Sequence, residues 1–244
     1  MPAEQPVVVE AGVGDLEVYP NRDSVSYIDI YKIPEAATMY RGTFRYKGWC
    51  ETLDVMKALN MLDDTVKDYS GMDYSGFLAE RAGKEKTGLR ESIMKSLGLT
   101  RESVALESLD WLGFFSDEKM NAGTTSPFEI TVERMIGRML IKGNERDMVV
   151  MQHVFLASYP DGKKEVIKSS MLDFGTPETN TAVARTVALP AAIAVMLILS
   201  GKIDLAGVYR PVIPAIYNPI LNELRNLGID MKEEYDLPES EIHL

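Results

Sequence analysis

Arg22, within the stretch Tyr-Pro-Asn-Arg-Asp-Ser at residues 19–24, and Arg41 and Arg45, within Tyr-Arg-Gly-Thr-Phe-Arg-Tyr at residues 40–46, have the chemistry of a carboxylate clamp. A guanidinium grips a carboxylate with two parallel hydrogen bonds and stays charged at any working pH. Arg41 and Arg45 are an even number of residues apart, so a regular strand would place them on one face. Gly42 between them leaves room for a close approach. Plainer readings stand beside this one. Strand arginines are mostly solvent-exposed, and Asn21, Asp23 and Ser24 are also the residue types of an ordinary turn. Spacing alone does not choose between them.

The charge of the chain makes those arginines matter. Its 244 residues hold 37 Asp and Glu against 26 Lys and Arg, a formal net charge of -11. Such a field repels a phosphate backbone, so nucleic acid is not an expected partner. An anionic small molecule would need a local group of arginines.

Other chemistries find little support. The run Val-Val-Val-Glu-Ala-Gly-Val-Gly at residues 7–14 starts like a dinucleotide loop, but Glu17 stands where a third glycine is needed and Pro20 where the phosphate-binding helix should run. It reads as a glycine turn. The two histidines, His153 and His243, form no cluster with metal-ligand spacing, and no serine or cysteine has the setting of a nucleophile. His153 reads as a strand-face residue. Cys50, the single cysteine, excludes an internal disulfide and is most simply a small buried side chain.

The elements that would position the arginines follow from periodicity. Residues 7–49 are β-rich and broken by Gly and Pro, and from Glu51 the period becomes helical, with Leu53, Met56, Leu59 and Leu62 on one face. Short helices continue to about residue 140. Among them Ser126-Pro127-Phe128-Glu129 is a start signal, with Val132, Met135, Ile136, Met139 and Leu140 as the apolar stripe behind it. Residues 148–159 and 164–174 read as strands joined at Pro160-Asp161-Gly162, a hairpin. The uncharged run at residues 187–199 contains Pro190, is too short to span a bilayer, and reads as a buried helix. A last helix is expected from about Asn218-Pro219 with its stop at Gly228, followed by a loosely held acidic tail. The order β, α, β, α predicts an α+β fold: a mixed, largely antiparallel sheet domain with a helical insertion and C-terminal helices. The expected division is a sheet-containing domain at residues 1–50 and 144–185, the helical insertion at 51–143, and the C-terminal helices and tail at 186–244. The N-terminus lacks the basic and apolar regions of a secretory signal, which together with the lone cysteine suggests a reducing compartment, cytoplasmic or the mitochondrial matrix.

Several ordered segments together resemble the C-terminal part of the saccharopine dehydrogenases, the saccharopine reductases of lysine metabolism. They are YPNRDS, IPEAATMYRGTFRYKGW, LDWLGFFSDEKM, NERDMVVMQHVF, YPDGKKE, RTVALPAAIAVMLILSGKI and IYNPILNELRNLGI, spanning residues 19–229. The resemblance implies an oxidoreductase that converts saccharopine, NAD or NADP and water to glutamate and aminoadipate semialdehyde. It also implies a dinucleotide-binding domain, a sheet-containing substrate domain that mediates dimerisation, and a helical insertion. By the same resemblance Arg22 and Arg41 are substrate-carboxylate ligands with Asn21 and Thr43 as weaker neighbours. Thr186, at the start of the helix entered through TVALP, lies toward the cofactor; Ala188 stands where the family has glycine. Nothing before Val7 has room for the glycine-rich dinucleotide fold, so the expectation is a chain without its own cofactor site, working with a dinucleotide-binding domain or partner chain and as a homodimer. A non-catalytic structural or interaction subunit that keeps the same fold is the alternative.

Overall fold

A computed structural model describes residues 6, 7 and 13–242. In chain order the elements are β1 (Pro6–Val7), β2 (Leu16–Pro20), α1 (Tyr27–Tyr31), β3 (Gly42–Tyr46), α2 (Trp49–Ala58), β4 (Lys67–Asp68), α3 (Tyr74–Ala82), α4 (Leu89–Leu97), α5 (Val104–Leu112), β5 (Thr124–Thr125), α6 (Pro127–Met139), β6 (Met148–Ser158), β7 (Lys164–Phe174), α7 (Ala182–Leu199), α8 (Pro214–Asn226) and β8 (Lys232–Leu237). The sheets run in the orders β1-β2-β3, β4-β5 and β6-β7-β8, and the fold is the expected mixture of helices with antiparallel sheets. By contact the described chain forms two units, one of residues 6, 14–19 and 44–140, the other of 7, 13, 20–43 and 141–242.

The first unit is mainly helical. Its core joins Met56, Phe77, Leu78, Ile93, Leu106, Leu109 and Phe114, all fully buried, and the rings of Tyr69 and Phe77 meet edge to face at 5.7 Å. Helix α2 ends at Ala58, so Leu59 and Leu62 follow it rather than extending its stripe, and Leu62 is exposed. Its start is anchored by Glu17, whose carboxylate accepts the amides of Gly48 and Cys50. Cys50 is buried as expected, and burial, then the bond to Glu17, pushes its thiol up to about 11. Helix α6 begins as its sequence signal requires. Ser126 accepts the Glu129 amide, Glu129 reaches back to the Ser126 amide, and Pro127 occupies the first turn. Replacing Ser126 by alanine is expected to cost about 1 kcal/mol, lowering the melting temperature by roughly 2–4 °C in calorimetry.

The second unit is built on the expected hairpin. β6 and β7 pair antiparallel over eleven residues, from Met148 opposite Phe174 to Ser158 opposite Lys164. At the turn the Gly162 amide bonds the Tyr159 carbonyl, with Gly162 at φ 86°, a conformation that favours glycine. Met171, Ile193, Leu197, Ile220 and Leu224 form the core between β7, α7 and α8.

Three expectations here are corrected. Helix α8 starts at Pro214, not near Asn218, because Pro214 suits the first turn and Pro219 is taken inside the helix at the loss of one backbone bond. The acidic tail is not loose: β8 pairs with β7, since Lys163 binds Asp236, Lys168 binds Glu241 (both 2.6 Å), and the 7%-exposed Glu165 accepts the Asp236 amide. Lysines on and before β7 thus neutralise a charge that composition alone read as unstructured. Helix α7 runs from Ala182 and is not buried. Only Ala182, Ile193 and Leu197 are enclosed, while Val187 is 69% and Leu199 82% exposed. At 18 residues it is long and apolar enough by length and composition to cross a membrane, yet it carries Arg185, paired to Asp173 at 3.1 Å, and packs into the core named above.

Candidate functional site

The candidate site lies in the second unit, on the turn after β2 and the residues leading into β3. Two bonds join these segments: the Asn21 amide donates to the Arg41 carbonyl at 3.0 Å, and the Asn21 side-chain amide donates to Thr43 Oγ1 at 2.6 Å. Ser24 Oγ adds a third, to the Met39 carbonyl at 2.9 Å. Asp23 accepts the Ser26 amide at 3.3 Å, and the Ser26 hydroxyl and amide hold its carboxyl below the usual range. Tyr19 and Pro20 belong to β2, so only the later part of residues 19–24 leaves the strand, with a bend at Arg22 and the turn itself closing from Ser24 to Tyr27. Arg22 sits at φ 63°, in the left-handed region, where a side-chain-bearing residue costs about 1–2 kcal/mol.

Arg41 precedes β3, which begins at Gly42, so the strand alternation that would have paired it with Arg45 does not reach it. Its guanidinium instead donates to the Tyr27 hydroxyl at 3.3 Å and lies 5.8 Å from that ring's centre. Arg45 donates to the Phe44 carbonyl and stands 5.5 Å from the Trp49 ring. Among the described residues neither Arg22 nor Arg41 forms an ion pair, in a chain with an excess of acids. Both are exposed. Guanidiniums without an ion pair are suited to hold a carboxylate, and a side-chain amide and a hydroxyl can add to such a grip.

The four residues Asn21, Arg22, Arg41 and Thr43 are thus brought together through the backbone and the Asn21–Thr43 bond. Thr186 is not joined to them. Its hydroxyl donates to the Ala182 carbonyl at 2.9 Å within its own helix. Tyr27 carries no signal in the sequence, because its role depends on a partner fourteen residues away. His153 lies on β6 with its ring stacked on Phe155 at 6.2 Å, and His243 lies outside the described residues.

Among the described residues no glycine turn opens a phosphate-binding helix. Much of the glycine run at residues 7–14 lies outside the described residues, and Gly14, at φ 84°, leads into strand β2 instead of a phosphate-binding helix.

The model of the saccharopine dehydrogenase C-terminal domain matches residues 1–229. The chain belongs to that family. It is 34% identical over 227 residues to saccharopine dehydrogenase [NADP(+), L-glutamate-forming] of Saccharomyces cerevisiae, covering 88% of this chain and 50% of that protein. It is 32% identical over 228 residues to the mitochondrial alpha-aminoadipic semialdehyde synthase of Bos taurus, covering 24% of it. Among solved structures, the apo histidine-tagged saccharopine dehydrogenase (L-Glu forming) from Saccharomyces cerevisiae superposes with a TM-score of 0.87 at 33% identity, over 95% of this chain and 54% of that one. The chain therefore spans about half the length of the saccharopine dehydrogenases it matches.

Proposed function

We propose that this chain is the substrate-binding portion of a saccharopine dehydrogenase, taking saccharopine or a similar amino diacid, and that Arg22 and Arg41 hold its carboxylates with Asn21 and Thr43 beside them. The observation that carries the reading is a pair of exposed arginines without acidic partners among the described residues, on segments joined by the Asn21 bonds. Holding the substrate by its carboxylates leaves the secondary amine free to meet a hydride acceptor. NAD or NADP supplies that acceptor, and in the direction of oxidation the imine formed from saccharopine adds water and releases glutamate and aminoadipate semialdehyde. The reading requires a dinucleotide-binding domain, in the same polypeptide or on a partner chain, with Thr186 toward the cofactor. The working unit we propose is a homodimer of such completed units, in the cytoplasm or mitochondrial matrix.

The test is to assemble this chain with a dinucleotide-binding half and follow NAD(P)H formation on adding saccharopine, with calorimetric titration of saccharopine in parallel. Turnover that neither half gives alone is the expected result. Saccharopine binding without turnover points to the family fold kept as a non-catalytic subunit. No binding to the chain in either state overturns the proposal.

A further inference from the structure

Tyr27 belongs neither to the stretch at residues 19–24 nor to the arginine-bearing stretch at 40–46, yet it is the side chain that meets Arg41. Arg41 Nη1 donates to the Tyr27 hydroxyl at 3.3 Å, and Arg41 Cζ lies 5.8 Å from the centre of the ring. An aromatic face attracts a guanidinium within about 6 Å, so ring and hydroxyl both act on the same cation.

The ring is fixed independently of Arg41. Tyr27 is the first residue of α1, its amide donates to the Ser24 carbonyl at 3.1 Å, and Tyr31, one helical turn on, packs its ring against it at 5.6 Å between centres. Ser24 also donates its hydroxyl to the Met39 carbonyl at 2.9 Å, two residues before Arg41. One serine therefore ties the base of Tyr27 to the segment that carries Arg41. The spacing of the pair is set by these bonds and does not depend on the two side chains finding each other.

The consequence lies in what the contact uses and what it leaves. An unrestrained exposed arginine samples many rotamers and loses that freedom when it grips a carboxylate. Arg41 has given up part of it in advance. Only Nη1 is engaged; among the described residues Nε and Nη2 donate to no acceptor, and their N–H groups are the parallel pair that a carboxylate takes with two bonds. A phenol oxygen orients the cation without neutralising it, as an Asp or Glu in its place would do. We infer that Tyr27 is a positioning residue of the carboxylate clamp, pre-orienting Arg41 so that its Nε–Nη2 edge is presented to the substrate. The inference rests on the proposed clamp and adds the residue that aims one arm of it.

The experiment is a double-mutant cycle between Tyr27 and Arg41. Saccharopine is titrated into this chain, alone and assembled with a dinucleotide-binding half, and initial rates are taken on the assembled enzyme. Tyr27→Phe removes the hydroxyl and keeps the ring; it is expected to weaken saccharopine binding roughly three- to tenfold, raising KM with kcat unchanged. Tyr27→Leu removes the ring as well and should lose more, so that phenylalanine recovers part of the leucine loss. In an Arg41→Ala background Tyr27→Phe should change affinity no further, because the group it aims is gone. The melting temperature of Tyr27→Phe should match that of the parent, since the bond it deletes is exposed. Parent affinity in Tyr27→Phe overturns the inference. So does an equal loss with and without Arg41, which would make Tyr27 merely structural, and so does a fall in kcat at unchanged KM. A parent that binds no saccharopine fails the functional reading itself and takes the inference with it.

Discussion

Replacing Arg22 and Arg41 together by alanine is expected to remove saccharopine binding while leaving the melting temperature unchanged. Each guanidinium offers a charge-assisted bond to a carboxylate, worth about 1.5–3 kcal/mol, so each single variant should lose roughly ten- to a hundredfold in affinity. The double variant should fall below detection by calorimetry. Stability should not follow, because both side chains are exposed and neither forms an ion pair among the described residues. Arg22→Gly separates the two properties further. Arg22 sits at φ 63°, so glycine relieves about 1 kcal/mol of backbone strain and should raise stability while weakening binding. A strained residue whose removal stabilises the fold and weakens the ligand is one held for function. Unchanged affinity in the double variant refutes the clamp.

The second large effect is on stability, at Gly175. A Cβ there would lie 2.1 Å from Asp147 Oδ1, 2.8 Å from the Ala182 amide nitrogen and 3.0 Å from the Asn180 carbonyl oxygen. Two of these are backbone atoms, so they cannot swing aside. Asp147 is itself engaged, accepting the amides of Ala182 at 2.7 Å and Val183 at 3.0 Å, in the first turn of α7. Gly175→Ala should therefore both overpack the site and dislodge a helix-capping carboxylate, costing about 2–4 kcal/mol and lowering the melting temperature by roughly 5–15 °C. Asp147→Asn should cost less, since it keeps the shape and loses the charge at the helix N-terminus. The pH dependence has a defined sign. Partial burial pushes the Asp147 carboxyl up, but the Val183 and Ala182 amides outweigh it and hold it below its ordinary value. Its contribution is thus fully present above the ordinary carboxylate pKa and is lost as pH falls through the depressed folded value. The parent should lose more stability than Asp147→Asn across that acid range in pH-dependent calorimetry.

These two predictions differ in how far the sequence announced them. Residues 19–24 show the composition of a turn, and an Arg within a turn is visible as a candidate ligand. That Arg22 is left-handed, and that Arg41 leans on Tyr27, is not visible, because Asn21 and Thr43 are 22 positions apart and Arg41 and Tyr27 are 14 apart. Gly175 is one of 18 glycines and has no distinguishing neighbours in sequence. Its demand arises only when β7, the loop at Asp147 and the start of α7 meet.

What the amino-acid sequence determined by itself is what short-range chemistry controls. The strand character of β6 and β7, the Pro160-Asp161-Gly162 turn and the capping box of α6 each depend on residues within a few positions of one another, and each is found as read. The ordered segments carrying the family resemblance were equally legible, since they are strings of neighbours. The tertiary structure alone decided which surfaces are covered. The acidic tail became strand β8 because lysines some seventy positions earlier meet it, and the apolar run of α7 stayed outside because the core accepts only one narrow stripe of it. Apolar composition states that a segment seeks burial. Which neighbour buries it is set by the path of the whole chain.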